Sequence, residues 1–247
     1  VRHFFDPDPG WIAIGSLDQG IYVAVLVIAA VGLIGGRRWV RAHTRGVRWT
    51  VLTVAVVQQC VLYGTYLITG WRWADSLPLH ISRVSALLCI VYLATGSKRV
   101  MDVLFYFGLW AWASFSYPQN VQPADNVFGW SFLVNHVVTL LMPAFAWITT
   151  DWRPTRRALW RAFGWMVAFS LLAVGANALT GGNYFYQRDK PLLPFVPQPW
   201  YYLLTLAAGL AGFWIGYGVS RLVPGARSLS VDATPRAVRR AGSPTPP

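Results

Sequence analysis

What the 247-residue chain lacks most is charge. Only 12% of its residues are charged, where a soluble domain carries roughly 25%. A chain this poor in charge cannot cover a water-facing surface, which excludes a soluble globular enzyme. Glutamate is absent, so all nine acids are aspartate, and lysine occurs twice against 19 arginines. That bias, with abundant Ala, Val, Gly and Trp, is what codon usage in a GC-rich bacterial genome produces. The two cysteines, Cys60 and Cys89, both fall inside apolar segments. A disulfide framework is therefore not expected, and no Cys/His spacing suggests a zinc site. The N-terminus lacks the basic stretch that opens a cleaved signal peptide and reads as part of the mature protein.

What is present is apolar sequence. Hydrophobic residues make up 55% of the chain, and the mean hydropathy is +0.42. Seven apolar segments can be marked, at about Gln19–Ile34, Trp49–Ile68, Leu79–Thr95, Val100–Phe115, Phe128–Thr149, Ala162–Leu179 and Trp200–Val219. The third and fourth are short, and the first could borrow Trp11–Ser16 if it tilts. A helix needs about 20 residues to cross the hydrocarbon core. In lipid the backbone must satisfy its own hydrogen bonds, so these segments are expected as helices. The strictly alternating runs of about 10 residues that mark a barrel are missing.

The net charge of +12 would suit a nucleic-acid binder, but its distribution points elsewhere. Sixteen basic residues fall on the odd-numbered connections and the C-terminal tail, against four on the N-terminal arm (Arg2) and the even-numbered connections. Cytoplasmic loops carry the excess of Lys and Arg. The expectation is an all-α, polytopic membrane helical bundle of about seven transmembrane helices, N-terminus outside and C-terminus cytoplasmic. Residues 1–18 form an extracytoplasmic arm, 19–220 the membrane domain, and 221–247 a basic, Pro-rich, disordered tail able to touch anionic lipid. Trp71, Trp73, Trp130, Trp200, Tyr201 and Tyr202 stand at the expected outer boundary, where amphipathic rings sit at headgroup depth. A cell membrane, bacterial plasma membrane by composition, is the expected location, membrane lipids are the expected partners, and nucleic acid is not.

Polar groups inside apolar spans are costly and therefore informative. The third segment opens Ser76-Leu77-Pro78-Leu79-His80-Ile81-Ser82-Arg83, and Ser82, Ser85 and Cys89 then share one helical face. Arg83 is the one permanently charged basic residue within an expected span. It either snorkels to the headgroups or grips a phosphate or carboxylate. His80 is either an interfacial structural residue or a ligand contact. His136 lies about 12 Å into the fifth segment at 1.5 Å per residue. It needs a partner or a cavity there, and Asn135 beside it points about 100° away. If the third and fifth helices pack together, Ser82 and His136 are placed to act as hydroxyl nucleophile and general base. The bland reading is a buried histidine bonded to a backbone carbonyl. Asn177, Gln58, Gln59 and Tyr63 fall at a similar height, followed in the sixth connection by Gly181-Gly182-Asn183-Tyr184. They serve either as oxyanion donors or as interhelical glue.

Four stretches carry a family likeness: Leu77-Pro78-Leu79-His80-Ile81-Ser82, Val134-Asn135-His136, Asn177 with Gly182-Asn183-Tyr184-Phe185, and Pro197-Gln198-Pro199-Trp200-Tyr201. Together they resemble the YwaF-like family of bacterial integral membrane proteins over most of the membrane core. A vertebrate branch is similar in fold and acts as an acyltransferase on ether phospholipids, with a proposed cysteine–histidine pair. The resemblance implies that His136 stands at the histidine, and Ser82 at or near the cysteine. The expectation is transfer or hydrolysis of a lipid acyl group in the outer half of the membrane. Ser82 is the nucleophile and His136 the base, with His80, Arg83, Asn177, Asn183 and Tyr184 contacting substrate and no metal or cofactor required. The alternative is a non-catalytic lipid- or small-molecule-binding protein, a permease or an accessory subunit.

Overall fold

Each of the seven apolar segments forms a helix in the computed structural model, which describes residues 4–6, 9–118 and 120–223. The helices are α1 (Leu17–Gly35), α2 (Arg37–Ala42), α3 (Thr44–Thr69), α4 (Ile81–Thr95), α5 (Lys98–Ser116), α6 (Val127–Thr150), α7 (Arg156–Thr180) and α8 (Trp200–Leu222). A single 3-10 turn covers Tyr184–Tyr186. Five helices, α1, α3, α6, α7 and α8, are long and apolar enough to cross a bilayer, and α4 is a shorter apolar helix. α5 forms where a crossing was expected, but Lys98, Arg99 and Asp102 in its first turns keep it out of that apolar set.

Local chemistry moves several expected boundaries. α1 does not borrow Trp11–Ser16, because the Ser16 hydroxyl caps it by accepting from the Gln19 N–H at 3.3 Å. The first connection is helical in large part: α2 fills it, and α3 begins at Thr44, a turn and a half before Trp49. α4 begins at Ile81, so Pro78 and Leu79 precede the helix, and His80 is its N-terminal boundary residue. α7 starts at Arg156, since Thr155 Oγ1 accepts from the Ala158 N–H at 3.1 Å. Arg156, Arg157 and Arg161 therefore ride on the helix rather than in the connection before it. The expectations for Arg2 and for the tail beyond residue 223 lie outside the described residues.

Side-chain bonds draw the odd connections to one end, where Arg41 reaches Ile148 and Asp151, Arg48 reaches Leu93, and Asp102 meets Trp152 and Arg161. α4 sits centrally, packed on α3, α5 and α6, while α7 and α8 cover the other side of α5. α6 is the most enclosed of the long apolar helices, and α1 and α8 turn most of their surface outward. Their exposed large residues include Val27, Ile28 and Val31 on α1 and Leu203, Ile215 and Val219 on α8, as a lipid-facing surface requires.

Arginine side chains bind the arginine-rich end. Arg41 donates from Nε to the Ile148 carbonyl at 2.7 Å and from Nη2 to Asp151 Oδ1 at 2.8 Å. Arg48 caps the end of α4, donating to the carbonyls of Leu93 and, at 2.6 Å, Ala94. Arg153 does the same for α8 through Nη1, at 3.2 Å from the Ser220 carbonyl and 2.6 Å from that of Val223. The last carbonyls of a helix have no intrahelical partner and carry partial negative charge, so cations suit them. Asp102 accepts from both Trp152 Nε1 and Arg161 Nη2 at 3.0 Å.

Candidate functional site

Three mutually packed helices, α3, α4 and α6, enclose a column of polar groups. On α6, Ser131, Asn135 and Thr139 recur every fourth residue and so share one face, and all three are buried. Asn135 Nδ2 donates to the Ser82 carbonyl on α4 at 3.1 Å, and its Oδ1 accepts from Thr139 Oγ1 at 3.3 Å. Thr139 in turn meets Cys89 Sγ at 3.7 Å. From α3, Gln58 and Gln59 complete the column, bonded to each other from Gln59 Nε2 to Gln58 Oε1 at 2.7 Å. Gln58, Cys89 and Asn135 line a cavity of about 10 Å³, space for about one water. Three buried atoms here, Gln58 Nε2, Gln59 Oε1 and Ser131 Oγ, have no hydrogen-bond partner. Such groups cost several kcal/mol each in a membrane interior.

α4 and α6 do pack together, but the contact is between Asn135 and the Ser82 backbone. His136, one residue on, faces a different side of α6, as the 100° turn requires. Its ring stacks on Phe132 at 3.8 Å between centroids and lies 5.7 Å from that of Phe115. Its Nδ1 sits 2.8 Å from the Phe132 carbonyl. A carbonyl can only accept, so Nδ1 carries a proton, and in the neutral form of the ring the lone pair lies on Nε2. No hydrogen bond joins Ser82 to His136 among the described residues.

A second polar layer closes the arginine-poor end of the column. Arg83 donates from Nη1 to the carbonyls of Asp75 at 2.6 Å and Leu77 at 3.0 Å, and from Nη2 to the Tyr66 hydroxyl at 2.5 Å. Its guanidinium lies 5.1 Å from the centre of the Tyr66 ring. It thereby pins the α3–α4 connection, a role the sequence did not assign it. His80 packs edge-on against Tyr184 at 5.1 Å. Burial, helped by the Arg83 charge, pushes its pKa down to about 3, so it is neutral at ordinary pH.

The remaining expected contacts hold the chain after α7. Asn177 brackets Tyr184: Oδ1 accepts from its N–H at 2.7 Å, and Nδ2 donates to its carbonyl at 2.9 Å. Asn183 Oδ1 accepts from the N–H groups of Arg188 at 2.8 Å and Asp189 at 3.1 Å. Tyr184 is wholly buried, and its hydroxyl donates to the Trp73 carbonyl at 2.5 Å and accepts from the Leu77 N–H at 3.1 Å. Gly182 allows this docking, because a Cβ there would meet the Ala74 carbonyl oxygen at 2.5 Å. Asn177, Asn183 and Tyr184 thus place the sixth connection against the second. Sequence reasoning passed over Ser131 and Thr139, although their spacing from Asn135 is the signal that finds them.

Comparison with protein families matches residues 14–217 to the TMEM164 family. No curated protein matches the chain, nor does any solved structure.

Proposed function

We propose that this chain, which belongs to the TMEM164 family of polytopic membrane proteins, transfers or hydrolyses an acyl group on a membrane lipid at its arginine-poor end. By the distribution of basic residues that end faces the exterior, and the membrane is a bacterial plasma membrane. Ser82 Oγ attacks the ester carbonyl carbon while His136 Nε2 takes the hydroxyl proton. The ester C–O bond then breaks, and the departing lipid oxygen recovers that proton from His136. Water or a second lipid hydroxyl afterwards accepts the acyl group from Ser82.

The observation that carries this reading is the hydrogen bond between His136 Nδ1 and the Phe132 carbonyl. It orients the ring and reserves Nε2 as the base, which is the task of the orienting group in a nucleophile–base pair. Hydrogen bonds between catalytic groups are often long before substrate enters and tighten with it. α4, which carries Ser82, packs on α6, which carries His136.

One observation favours binding without chemistry: the His136 ring is stacked on Phe132, and Ser82 engages Asn135 instead. Purified protein in vesicles, given phospholipid labelled in its acyl chain, separates the two readings. The acyl reading expects release or transfer of label, falling roughly 10²- to 10⁴-fold in Ser82→Ala and in His136→Ala. Equal turnover in both variants and the parent overturns the assigned pair. Lipid retained without any turnover supports the binding protein.

A further inference from the structure

At the arginine-poor end, two buried donors stand close together without an acceptor. The Tyr63 hydroxyl on α3 and Trp71 Nε1, two residues beyond that helix, are both buried, and neither has an acceptor for its proton. Their rings lie 6.4 Å apart between centroids, and Tyr63 is 6.1 Å from Tyr66, which Arg83 holds. Arg83 stands close enough to Tyr63 to donate to its hydroxyl oxygen, which leaves the hydroxyl proton free to donate elsewhere. An indole N–H and a guanidinium can only donate.

The charge of Arg83 is also uncompensated. It is spent on two carbonyls and a hydroxyl, and no carboxylate pairs with it among the described residues. The nearby Asp75 carboxylate is engaged by Arg72 at 2.8 Å. A fixed cation with two unpartnered donors beside it is complementary to an anionic oxygen acceptor. At the end of a transmembrane bundle, headgroup depth supplies one in quantity: phosphate.

We propose that Tyr63, Trp71 and Arg83 form a phosphate-binding site at the arginine-poor end, filled by the phosphate of a lipid headgroup or by free phosphate. This deepens the proposed lipid reading by giving that end a headgroup contact, while Ser82 and His136 take no part in it. Tyr63 and Trp71 donate to the phosphate oxygens, and Arg83 supplies the balancing charge from its pinned position.

Protein in uncharged detergent, with its thermal midpoint followed against added phosphatidylglycerol, diacylglycerol or inorganic phosphate, tests the site. Phosphatidylglycerol should raise the midpoint and diacylglycerol should not. A shift with inorganic phosphate as well identifies a site for the free anion, and a shift with phosphatidylglycerol alone identifies a headgroup site. Tyr63→Phe and Trp71→Phe should each weaken the apparent affinity roughly tenfold or more, as loss of a hydrogen bond to a charged group does. Without phosphate, Tyr63→Phe should hold or raise the midpoint, because it removes an unpartnered buried donor. The midpoint reads binding without turnover, so loss of the acyl reading leaves this result standing. A lowered unliganded midpoint in Tyr63→Phe, parental affinity in both aromatic variants, an equal response to diacylglycerol, or no response to either phosphate source overturns the proposal.

Discussion

The two ends of the bundle use arginine in opposite ways. At the crowded end, Arg41 and Arg161 meet Asp151 and Asp102, and Arg48 and Arg153 close the ends of α4 and α8. The charge of these four is paired or spread over helix carbonyls, so this end is a fastening. At the sparse end Arg83 faces only neutral oxygens, and buried donors are left over beside it. The fastened end also leaves Arg161 Nε and Trp147 Nε1 without partners, but the Arg161 charge is matched by Asp102. Other arginines of that end, such as Arg38, Arg99 and Arg157, are exposed, whereas Arg83 is half-buried with no carboxylate against it among the described residues, which is what suits the sparse end to a ligand.

That contrast can be broken in measurable ways. The largest effect is expected where the sparse end is held together. Asn177→Ala strips partners from both backbone groups of buried Tyr184 and should cost about 2–4 kcal/mol, at 1–3 for each orphaned group with partial relaxation. Thermal unfolding in detergent measures it, and a loss below about 0.5 kcal/mol would show that the sixth connection is held by other means. At the fastened end, Asp102→Asn should cost about 1–2 kcal/mol by leaving Arg161 without its counter-charge. This is less than a fully buried pair would show, because Arg161 is 37% exposed.

Acid should loosen the sparse end in particular. The His80 pKa is about 3 in the folded protein, against about 6.5 unfolded. The unfolded chain therefore binds the extra proton first, and stability falls as pH drops below about 6.5, down to about 3. The slope from one group cannot exceed about 1.4 kcal/mol per pH unit. His80→Gln should flatten the curve in that window, and an unchanged slope would place the acid sensitivity elsewhere. The smallest effect belongs to Asp151→Asn, expected to change stability by less than about 1 kcal/mol. The Arg41–Asp151 pair is over a third exposed on both sides, and asparagine also tolerates the left-handed backbone at φ 51°.

Much of the framework was legible in the sequence, because apolar length and the alternation of basic loops are coarse signals. They located seven of the eight helices and the segregation of arginine to one end. They missed α2 and the early start of α7 for one reason: arginine-rich stretches look like loops, although Arg41 and Arg161 reach neighbouring helices from helical turns. At the site, side-chain type was readable but side-chain commitment was not. Asn177, Asn183 and Arg83 are as polar as ligand contacts should be, yet each is engaged by backbone atoms distant in sequence or in the following loop. The turn between Asn135 and His136 was correctly expected to separate their partners. The partners themselves, the Ser82 carbonyl and the Phe132 carbonyl, depend on how α4 meets α6, which no local pattern records.

The central chemical claim is that Ser82 is activated by His136. A serine-directed fluorophosphonate probe, followed by mass analysis of the modified peptides, tests it directly. The account predicts one adduct on the peptide carrying Ser82, strongly reduced in His136→Ala and absent in Ser82→Ala. An adduct confined to another residue, or one formed equally well without His136, would contradict it.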